Sequence, residues 1–416
     1  MLGAARLLGG CSTDGASDSV AVSGTVGERL GSILGIEPGE ASGKGLKISA
    51  GASIILSGAL APLGQDHLRG LELGLAHVRA AGGPNIQLMT RDNGMDTAKG
   101  VANVREFAAS GCPVQFTDYA ASLGAEVPAY KDNKIFAVDP GGSIAAYAGS
   151  DFYYMTRPTP PQSYIGAQVA FMRDRFPDGT KWALIGADAG TDYNTEEVRV
   201  SRAAAEAAGY SWAGDTHVPY DTTNFSAAFS KLGQGDPDVI QVDLYGGQLG
   251  IFLKQYATSG LSAKLIGIDF TPEAQKAAGS IKEYYFANDW FDPVNPTSDW
   301  AALLVEEYRR LHKTDPLYPA AEYYQAAFIV WDVIRQVIAD GNDPTKGGTD
   351  NYVRAVSSID GHQSVFGGRG KKLGTFKFDA NHLPAALPCT ICSVSGQDFP
   401  VPQARFNVSE STLQEV

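Results

Sequence analysis

Residues 46–83 read LKISAGASIILSGALAPLGQDHLRGLELGLAHVRAAGG, and this stretch decides the fold. The apolar run Leu46–Leu56 predicts a strand. Gln65–Ala81 predicts a helix that ends at the glycine pair 82–83. The apolar face of this helix carries, at helical spacing, Leu68, Leu71, Leu75 and Val78. A strand followed closely by a helix is the repeating unit of an α/β protein.

This alternation continues along the chain and stops only at the proline-rich segment 153–161, which is predicted to be extended. A first run of elements is predicted at Asn85–Thr90, Thr97–Ser110, Pro113–Phe116, Ala121–Lys131 and Lys134–Val138. A second run is predicted at Lys181–Ala187, Asn194–Ala208, Ser211–Val218, Asn224–Leu232, Asp238–Leu244, Gln248–Ser259, Lys264–Ile268 and Glu283–Trp290, followed by long helices at Ser298–Lys313 and Pro319–Ala339 and short strands at Gly374–Asp379 and Thr390–Val394. The predicted fold class is therefore α/β, with two Rossmann-like lobes built on parallel sheets and a shared crevice where ligands bind.

Composition excludes several classes of protein. The chain has 416 residues, 44% of them hydrophobic, which is enough for two packed domains. Its formal net charge is −13, and no run of Lys or Arg stands out, so a nucleic-acid partner is not expected. The sequence contains no run of eighteen apolar residues, so no membrane-spanning helix is predicted.

The N-terminus predicts a lipid anchor. Leu8-Gly9-Gly10-Cys11 follows a short apolar segment that contains an arginine, and a polar stretch comes after it. This order resembles a bacterial lipobox, in which the cysteine is lipidated. The segment before Cys11 is short for a signal peptide, so a clipped N-terminus is expected. The alternative is a chance cysteine in a disordered tail, and residues 12–45 are expected to form a flexible tether.

The remaining cysteines predict a structural role. Cys389 and Cys392 lie three residues apart, and in an exported chain a local disulfide is expected. A second pair that would suggest a metal site is missing from the sequence, so no metal or other cofactor is predicted. Cys112 is expected to be a small apolar residue of a core strand.

Catalytic signatures are absent from the sequence. It contains no Gly-x-Ser-x-Gly elbow, no phosphate-binding loop and no dinucleotide fingerprint. The six histidines are scattered and are expected on helix surfaces or in loops. An enzyme with an unrecognised site remains an alternative, because residues that meet only in space leave no motif.

Several segments resemble the type I periplasmic binding proteins, in particular the leucine/isoleucine/valine-binding group. The matching stretches, which span roughly residues 46–400, are Ile48–Gly70, Ala81–Gly83, Arg91–Asp96, Phe152–Thr159, Tyr318–Trp331 and Gly374–Asn381. The resemblance implies a receptor whose two lobes close on a ligand and whose closed form docks on a permease.

The lobe boundaries follow from the places where the chain is expected to cross from one lobe to the other. Residues 1–45 are the signal remnant and tether, 46–157 with 288–382 form lobe 1, and 158–287 with 383–416 form lobe 2. The three crossings are expected near Arg157–Pro161, Tyr285–Asn288 and Leu383–Pro388. Three crossings predict closure by a hinge motion.

The resemblance also implies which loops hold the ligand. In this family two loops, each after a strand, bind the ligand's carboxylate through hydroxyl and N–H groups, as helix N-termini do. The matching residues are Tyr119, Ala120, Ala121 and Ser122 in the first loop and Gly141, Gly142 and Ser143 in the second. Other matching positions are Leu63, Tyr193, Tyr245, Asp269 and Trp290, where Asp269 takes the place of the acid that binds the ligand's ammonium. The alternative for each is a tight loop, a core or a rim position.

Three departures from the family pattern bear on the ligand. Ala120 replaces the family's serine, and Asp118 with Tyr119 adds bulk and a charge beside the expected carboxylate seat. Asp139 adds another charge, and an unpaired acid there would repel a ligand carboxylate. These changes argue against a plain aliphatic amino acid and leave an amide, a cationic compound, a polyol or an aromatic compound open.

The predicted function is an extracytoplasmic receptor, anchored by lipid and monomeric, that captures a small polar molecule and delivers it to an ABC importer. A sensor of the same fold that presents its ligand to a signalling partner is the main alternative.

Overall fold

The computed structural model describes residues 20, 22–36, 43–118, 123–141, 150–157, 161–367, 374–385, 387, 389–396, 399–407 and 410–415. Within these ranges the α/β fold class with two lobes is confirmed. None of the described helices combines the length and the apolar character that a membrane crossing requires.

The first lobe is built on a parallel sheet of five strands in the order β2-β1-β3-β4-β5. Its strands are β1 Lys47–Ile54, β2 Asn85–Asp92, β3 Val114–Thr117, β4 Phe136–Asp139 and β5 Tyr153–Met155. The helices that connect them are α2 Ala61–Ala80, α3 Thr97–Ala109 and α4 Leu123–Asn133. Strand β5 occupies part of the segment that was expected to be merely extended.

The second lobe repeats this strand order. Its parallel part, β7-β6-β8-β9-β10, is extended by the antiparallel strands β14, β15 and β16. The strands are β6 Lys181–Ala187, β7 Ser211–Val218, β8 Val239–Asp243, β9 Lys264–Gly267, β10 Ile281–Asn288, β14 Cys389–Gly396, β15 Val401–Asn407 and β16 Thr412–Glu415. The helices are α5 Pro161–Arg175, α6 Thr191–Ala207, α7 Ser226–Gln234, α8 Gly246–Tyr256 and α9 Pro272–Ala278.

The chain returns to the first lobe between these two parts of the second sheet. The returning elements are α10 Asp299–His312, α11 Tyr318–Ala339, α12 Asn351–Ser358, β11 His362–Ser364, β12 Gly374–Phe378 and β13 Pro384–Ala385. Helix α11 packs along α2 in the same core cluster as β1. The chain thus passes between the two sheets three times, as the resemblance implied, while the boundaries of the lobes remain a prediction.

Two glycines of the quoted stretch explain its spacing. A Cβ atom at Gly64 would lie 1.7 Å from the carbonyl oxygen of Ile55, and one at Gly70 would lie 2.0 Å from that of Ala320. Only glycine allows this approach of α2 to its own strand and to α11.

Part of the predicted tether is folded. Residues Gly24–Leu34 form the helix α1, which packs against α2. Its Val26, Leu30 and Leu34 follow each other at four-residue spacing and are buried in the core of the first lobe. The prediction of a flexible tether over 12–45 was wrong for this part because the Gly-rich and Ser-rich composition masked an apolar stripe.

The predicted disulfide is wrong. Cys389 and Cys392 are both free and buried. They lie on one strand, β14, where side chains three residues apart point to opposite faces of the sheet. Cys389 belongs to the core cluster on one face and Cys392 to the cluster on the other. An extended strand therefore holds the two thiols too far apart to bond. Cys112 is buried, as expected, but it lies just before β3 rather than within the strand, and its thiol is free.

Candidate ligand-binding site between the lobes

In both sheets the second strand lies on one side of the first strand, and all later parallel strands lie on its other side. In such sheets the loops at the carboxyl ends of the strands form a crevice. Here those loops meet across the lobes. Tyr193, after β6, packs against the first lobe's cluster around Tyr130, and Asp269, after β9, bonds to Tyr318 of α11. The region between the lobes is therefore the candidate site.

The structure brings some predicted site residues together and does not describe others. The first-loop residues Tyr119, Ala120, Ala121 and Ser122, the second-loop residues Gly142 and Ser143, and the anchor Cys11 lie outside the described residues. Gly141 is described and buried, and its carbonyl accepts a hydrogen bond from Arg157. Leu63 is half-buried in the first turn of α2.

A buried arginine joins the segments that cross between the lobes. The Arg157 guanidinium, on the first crossing, lies 3.0 Å from a carboxylate oxygen of Asp289 and 3.4 Å from one of Glu322. It also donates to the Gly141 carbonyl at 3.2 Å. Burial disfavours its charged form, but the two acids outweigh burial and raise the pKa of Arg157. Since Asp289 follows β10 and Glu322 lies on α11, this network joins the first and second crossings to a helix of the first lobe.

Four tyrosines form an aromatic wall in the second lobe. Tyr193 and Tyr245 were predicted, and Tyr220 and Tyr164 join them. Tyr220 and Tyr245 have ring centroids 6.3 Å apart. Burial raises the pKa of each of the four hydroxyls, so they stay neutral. Such a wall suits an aromatic or apolar ligand whose polar end is bound elsewhere.

Trp290 extends the apolar surface at the second crossing. Its ring packs 5.8 Å from that of Phe286 and 5.5 Å from that of Phe399. The indole is half-buried, and its Nε1 is enclosed without a hydrogen-bond acceptor among the described atoms.

The buried acids of the first lobe are tied to donors. Asp118 accepts the Ile55 N–H at 2.9 Å and the Asn93 amide at 2.8 Å, and it lies 3.2 Å from the His67 imidazole. Asp139 accepts the Tyr153 hydroxyl at 2.6 Å. These contacts answer the sequence-based objection to a carboxylate ligand, because neither acid presents an unpaired charge. They also place His67 in the core rather than on a surface.

The second lobe contains a carboxyl pair. Glu197 of α6 and Asp243 of β8 are both buried, and they hydrogen-bond to each other. Glu197 also lies 2.8 Å from Nε2 of His217. Burial raises the pKa of Glu197 to about 8. Burial, and then the charge of Glu197, raises the pKa of Asp243 well above its usual range. Burial lowers the pKa of His217. The group is therefore largely uncharged beneath the aromatic wall.

Asp269, predicted to bind the ligand's ammonium, is enclosed by protein donors. One carboxylate oxygen accepts the Tyr318 hydroxyl of α11, and the other accepts the Gly246 N–H at 3.0 Å. Its side chain is 1% exposed. Burial raises the pKa of Asp269, although these two bonds and the charge of Arg157 lower it in part.

Sequence reasoning missed several of these residues. Arg157 stood in the quoted crossing motif but was not assigned to the site, and its two acidic partners lie 132 residues or more away in sequence. Tyr318 opens a helix that was recognised only as long and apolar. The missed residues are Arg157, Tyr164, Glu197, Tyr220, Asp243, Asp289, Tyr318 and Glu322.

Comparison with known proteins agrees with this architecture. A family model described as "Periplasmic binding protein" matches residues 47–384. A curated relative from Brucella abortus, the Leu/Ile/Val-binding protein homolog 2, is 24% identical over 351 residues, which are 82% of this chain and 88% of that protein.

Two solved structures show the same fold. The closed form of a leucine-, isoleucine-, valine-, threonine- and alanine-binding protein from Brucella ovis gives a TM-score of 0.73 at 15% identity, covering 88% of this chain and 96% of that one. A solute-binding protein of an ABC transporter from R. palustris, in complex with benzoate, gives a TM-score of 0.67 at 19% identity. The match covers 86% of this chain and 97% of that one.

Proposed function

The chain belongs to the periplasmic binding protein family, and from that premise we propose that it is the receptor of an ABC importer for a small organic carboxylate. The observation that carries the proposal is the meeting of the two sheets' carboxyl-end loops around Arg157, the tyrosine wall and Asp269. Members of this family bind solutes rather than convert them, and they act outside the cytoplasm.

The cargo class follows from the chemistry of the site. Relatives are named for branched-chain amino acids or were solved with benzoate, and both ligand types carry a carboxylate. The first-lobe acids Asp118 and Asp139 already accept hydrogen bonds from protein donors, so they do not face the proposed anion site unpaired. We assign the carboxylate to the N-terminal end of α4, at the predicted residues Tyr119, Ala120, Ala121 and Ser122, together with Gly141, Gly142 and Ser143.

The lipid anchor and the permease belong to the same proposal. We propose that Cys11 carries a lipid that holds the receptor at the membrane, and that the closed monomer docks on a permease. Mass spectrometry of the protein from its native membrane, with a Cys11→Ser variant as control, tests the anchor. Release of Cys11→Ser and retention of the wild type are expected.

A ligand screen tests the receptor. Purified protein is first examined by native mass spectrometry for a carried-over compound. It is then screened by thermal shift with amino acids, amides, purines, and aliphatic and aromatic acids. A ligand that binds only the native state raises the melting temperature in a concentration-dependent way. The proposal fails if compounds of other classes bind while no carboxylate shifts the transition.

A further inference from the structure

Asp269 is a buried carboxylate whose two oxygens are held from opposite sides of the crevice. Gly246, the first residue of α8, donates its N–H from the same lobe at 3.0 Å. Tyr318, the first residue of α11, donates its hydroxyl from the other lobe. The acid is therefore engaged by the protein itself on both oxygens.

Tyr318 is fixed in this position by its surroundings. Its side chain is 4% exposed and belongs to the core cluster of the first lobe. The Arg157 guanidinium lies 5.9 Å from the centre of its ring. On the other side, the Tyr284 hydroxyl donates to the main-chain carbonyl of Asp269 at 3.0 Å. Donor and acceptor are thus each held in place by their own lobe, and their hydrogen bond spans the crevice.

Because Asp269 is 1% exposed, an ammonium group could reach the oxygen that Tyr318 covers only by displacing the Tyr318 hydroxyl. A ligand amine that displaced the Tyr318 hydroxyl would break the hydrogen bond between the lobes. Breaking a buried hydrogen bond that the protein already makes costs binding free energy, so a site built around this bond disfavours such a ligand. A ligand without an amine leaves the bond intact and keeps the closed lobes joined.

We infer that Tyr318 is a specificity-determining residue, which closes the lobes onto Asp269 and restricts the cargo to carboxylates without an α-amino group. This inference rests on the proposed function, since it concerns the cargo of the same site. The aromatic wall of Tyr164, Tyr193, Tyr220 and Tyr245 is consistent with such a cargo, because it offers ring faces and no further charge.

Matched ligand pairs test the inference by calorimetry. Each pair differs only in the amino group: leucine against 4-methylpentanoate, and phenylalanine against 3-phenylpropanoate. The wild type is expected to bind the acid without an amine at least tenfold more tightly than its amino-acid partner. Tyr318→Phe frees one oxygen of Asp269, and this preference is expected to shift toward the amino acid by at least tenfold.

Two further variants make the result specific. Adding Asp269→Asn to Tyr318→Phe removes the carboxylate, so the gain in amino-acid binding is expected to disappear. Tyr308→Phe is the matched control, because it also removes a tyrosine–aspartate hydrogen bond, here to Asp66 within the first lobe. It is expected to leave the preference unchanged, and its melting temperature reports the cost of such a bond to folding.

The outcomes separate the two claims. Equal or tighter binding of the amino acids by the wild type would overturn the role of Tyr318 while leaving the receptor in place. An equal change of both ligands in Tyr318→Phe would overturn it as well. Binding of neither member of either pair, together with a negative carboxylate screen, would refute the proposed function and with it this inference.

Discussion

Asp118 in the first lobe and Asp243 in the second stand at the end of equivalent strands, β3 and β8, each beside the first strand of its sheet. Asp118 is surrounded by donors, namely a main-chain N–H, the Asn93 amide and the His67 imidazole. Asp243 receives the Gln241 amide at 2.8 Å but faces the carboxyl of Glu197. The same position in the same fold therefore holds an acid matched by donors in one lobe and an acid with a raised pKa in the other.

The difference teaches that strand position alone does not set the surroundings of a buried acid. The neighbours that donate hydrogen bonds to it come from other parts of the chain. Each prediction below changes one side of this comparison.

The largest expected effect comes from replacing each acid by asparagine. Asp118→Asn should lower the free energy of unfolding by about 3 kcal/mol, because an amide cannot accept all the bonds that the carboxylate accepts. Asp243→Asn should lower the free energy of unfolding by less than about 1 kcal/mol at pH 7. A protonated carboxyl group and an amide group both donate and accept hydrogen bonds, so the amide can replace the acid. Urea unfolding followed by tryptophan fluorescence measures both. Equal costs would contradict the difference between the lobes.

The second prediction concerns pH. The pKa of Glu197 is raised to about 8 in the fold against a usual 4.5, so the folded state holds a proton that the unfolded state releases. The stability that depends on this proton is complete below pH 4.5 and is lost as the pH rises toward 8.

Glu197→Gln imitates the protonated acid and should remove this loss. Its stability relative to the wild type should therefore increase by about 2 kcal/mol between pH 5 and pH 6.5 and continue to increase toward pH 8. Thermal unfolding across this range checks the sign. Glu196→Gln on the same helix, where the side chain pairs with Arg199, is the control and should leave the pH dependence of stability unchanged above pH 5. A constant difference between Glu197→Gln and the wild type at all pH values would show that the acid is ionised in the fold.

The third prediction is that removing a helix cap costs the same stability in each lobe. Asp96 caps α3 by accepting the Lys99 N–H, and Thr271 caps α9 by accepting the Ala274 N–H. Replacing either by alanine should cost about 1 kcal/mol. Equal costs would show that the first prediction reports on the acids and not on a general difference in stability between the lobes. A cap that costs several times more in one lobe would undermine that comparison.

The last prediction is that a reducing agent has no effect on stability. Cys389 and Cys392 lie on opposite faces of β14, so a reducing agent should leave the melting temperature unchanged. Alkylation after unfolding without reductant should modify both thiols, as read by mass spectrometry. Protection of the pair from alkylation would indicate a disulfide and a distorted strand.

Much of the fold could be predicted from the sequence because it depends on local periodicity. Strand β7 was predicted at Ser211–Val218 and β6 at Lys181–Ala187, as the structure has them. Helix α5 was missed because the proline run before it suggested extended chain, and α1 because small residues surround its stripe. The helix at Asn194 in fact begins at Thr191, since Asn194 accepts the Ala189 N–H from inside the first turn.

The candidate site was less predictable, for a physical reason. Residues such as Tyr193, Tyr245 and Asp269 come shortly after strands and can be found from the order of elements. The partners that decide what these residues do, such as Tyr318 for Asp269 and Asp289 for Arg157, come from the other lobe or another crossing. Pairings at this separation leave no pattern in one sequence, and composition does not reveal whether an acid is free.

The late arrival of β14 has a consequence for biosynthesis. Strand β10 ends at Asn288, but its antiparallel neighbour is residues 389–396, after the chain has returned to build the first lobe. During synthesis the hydrogen-bonding edge of β10 stays open until nearly the whole chain has emerged. Pairings between distant segments form slowly. A chain that cannot complete either lobe early is therefore expected to stay unfolded longer during its synthesis.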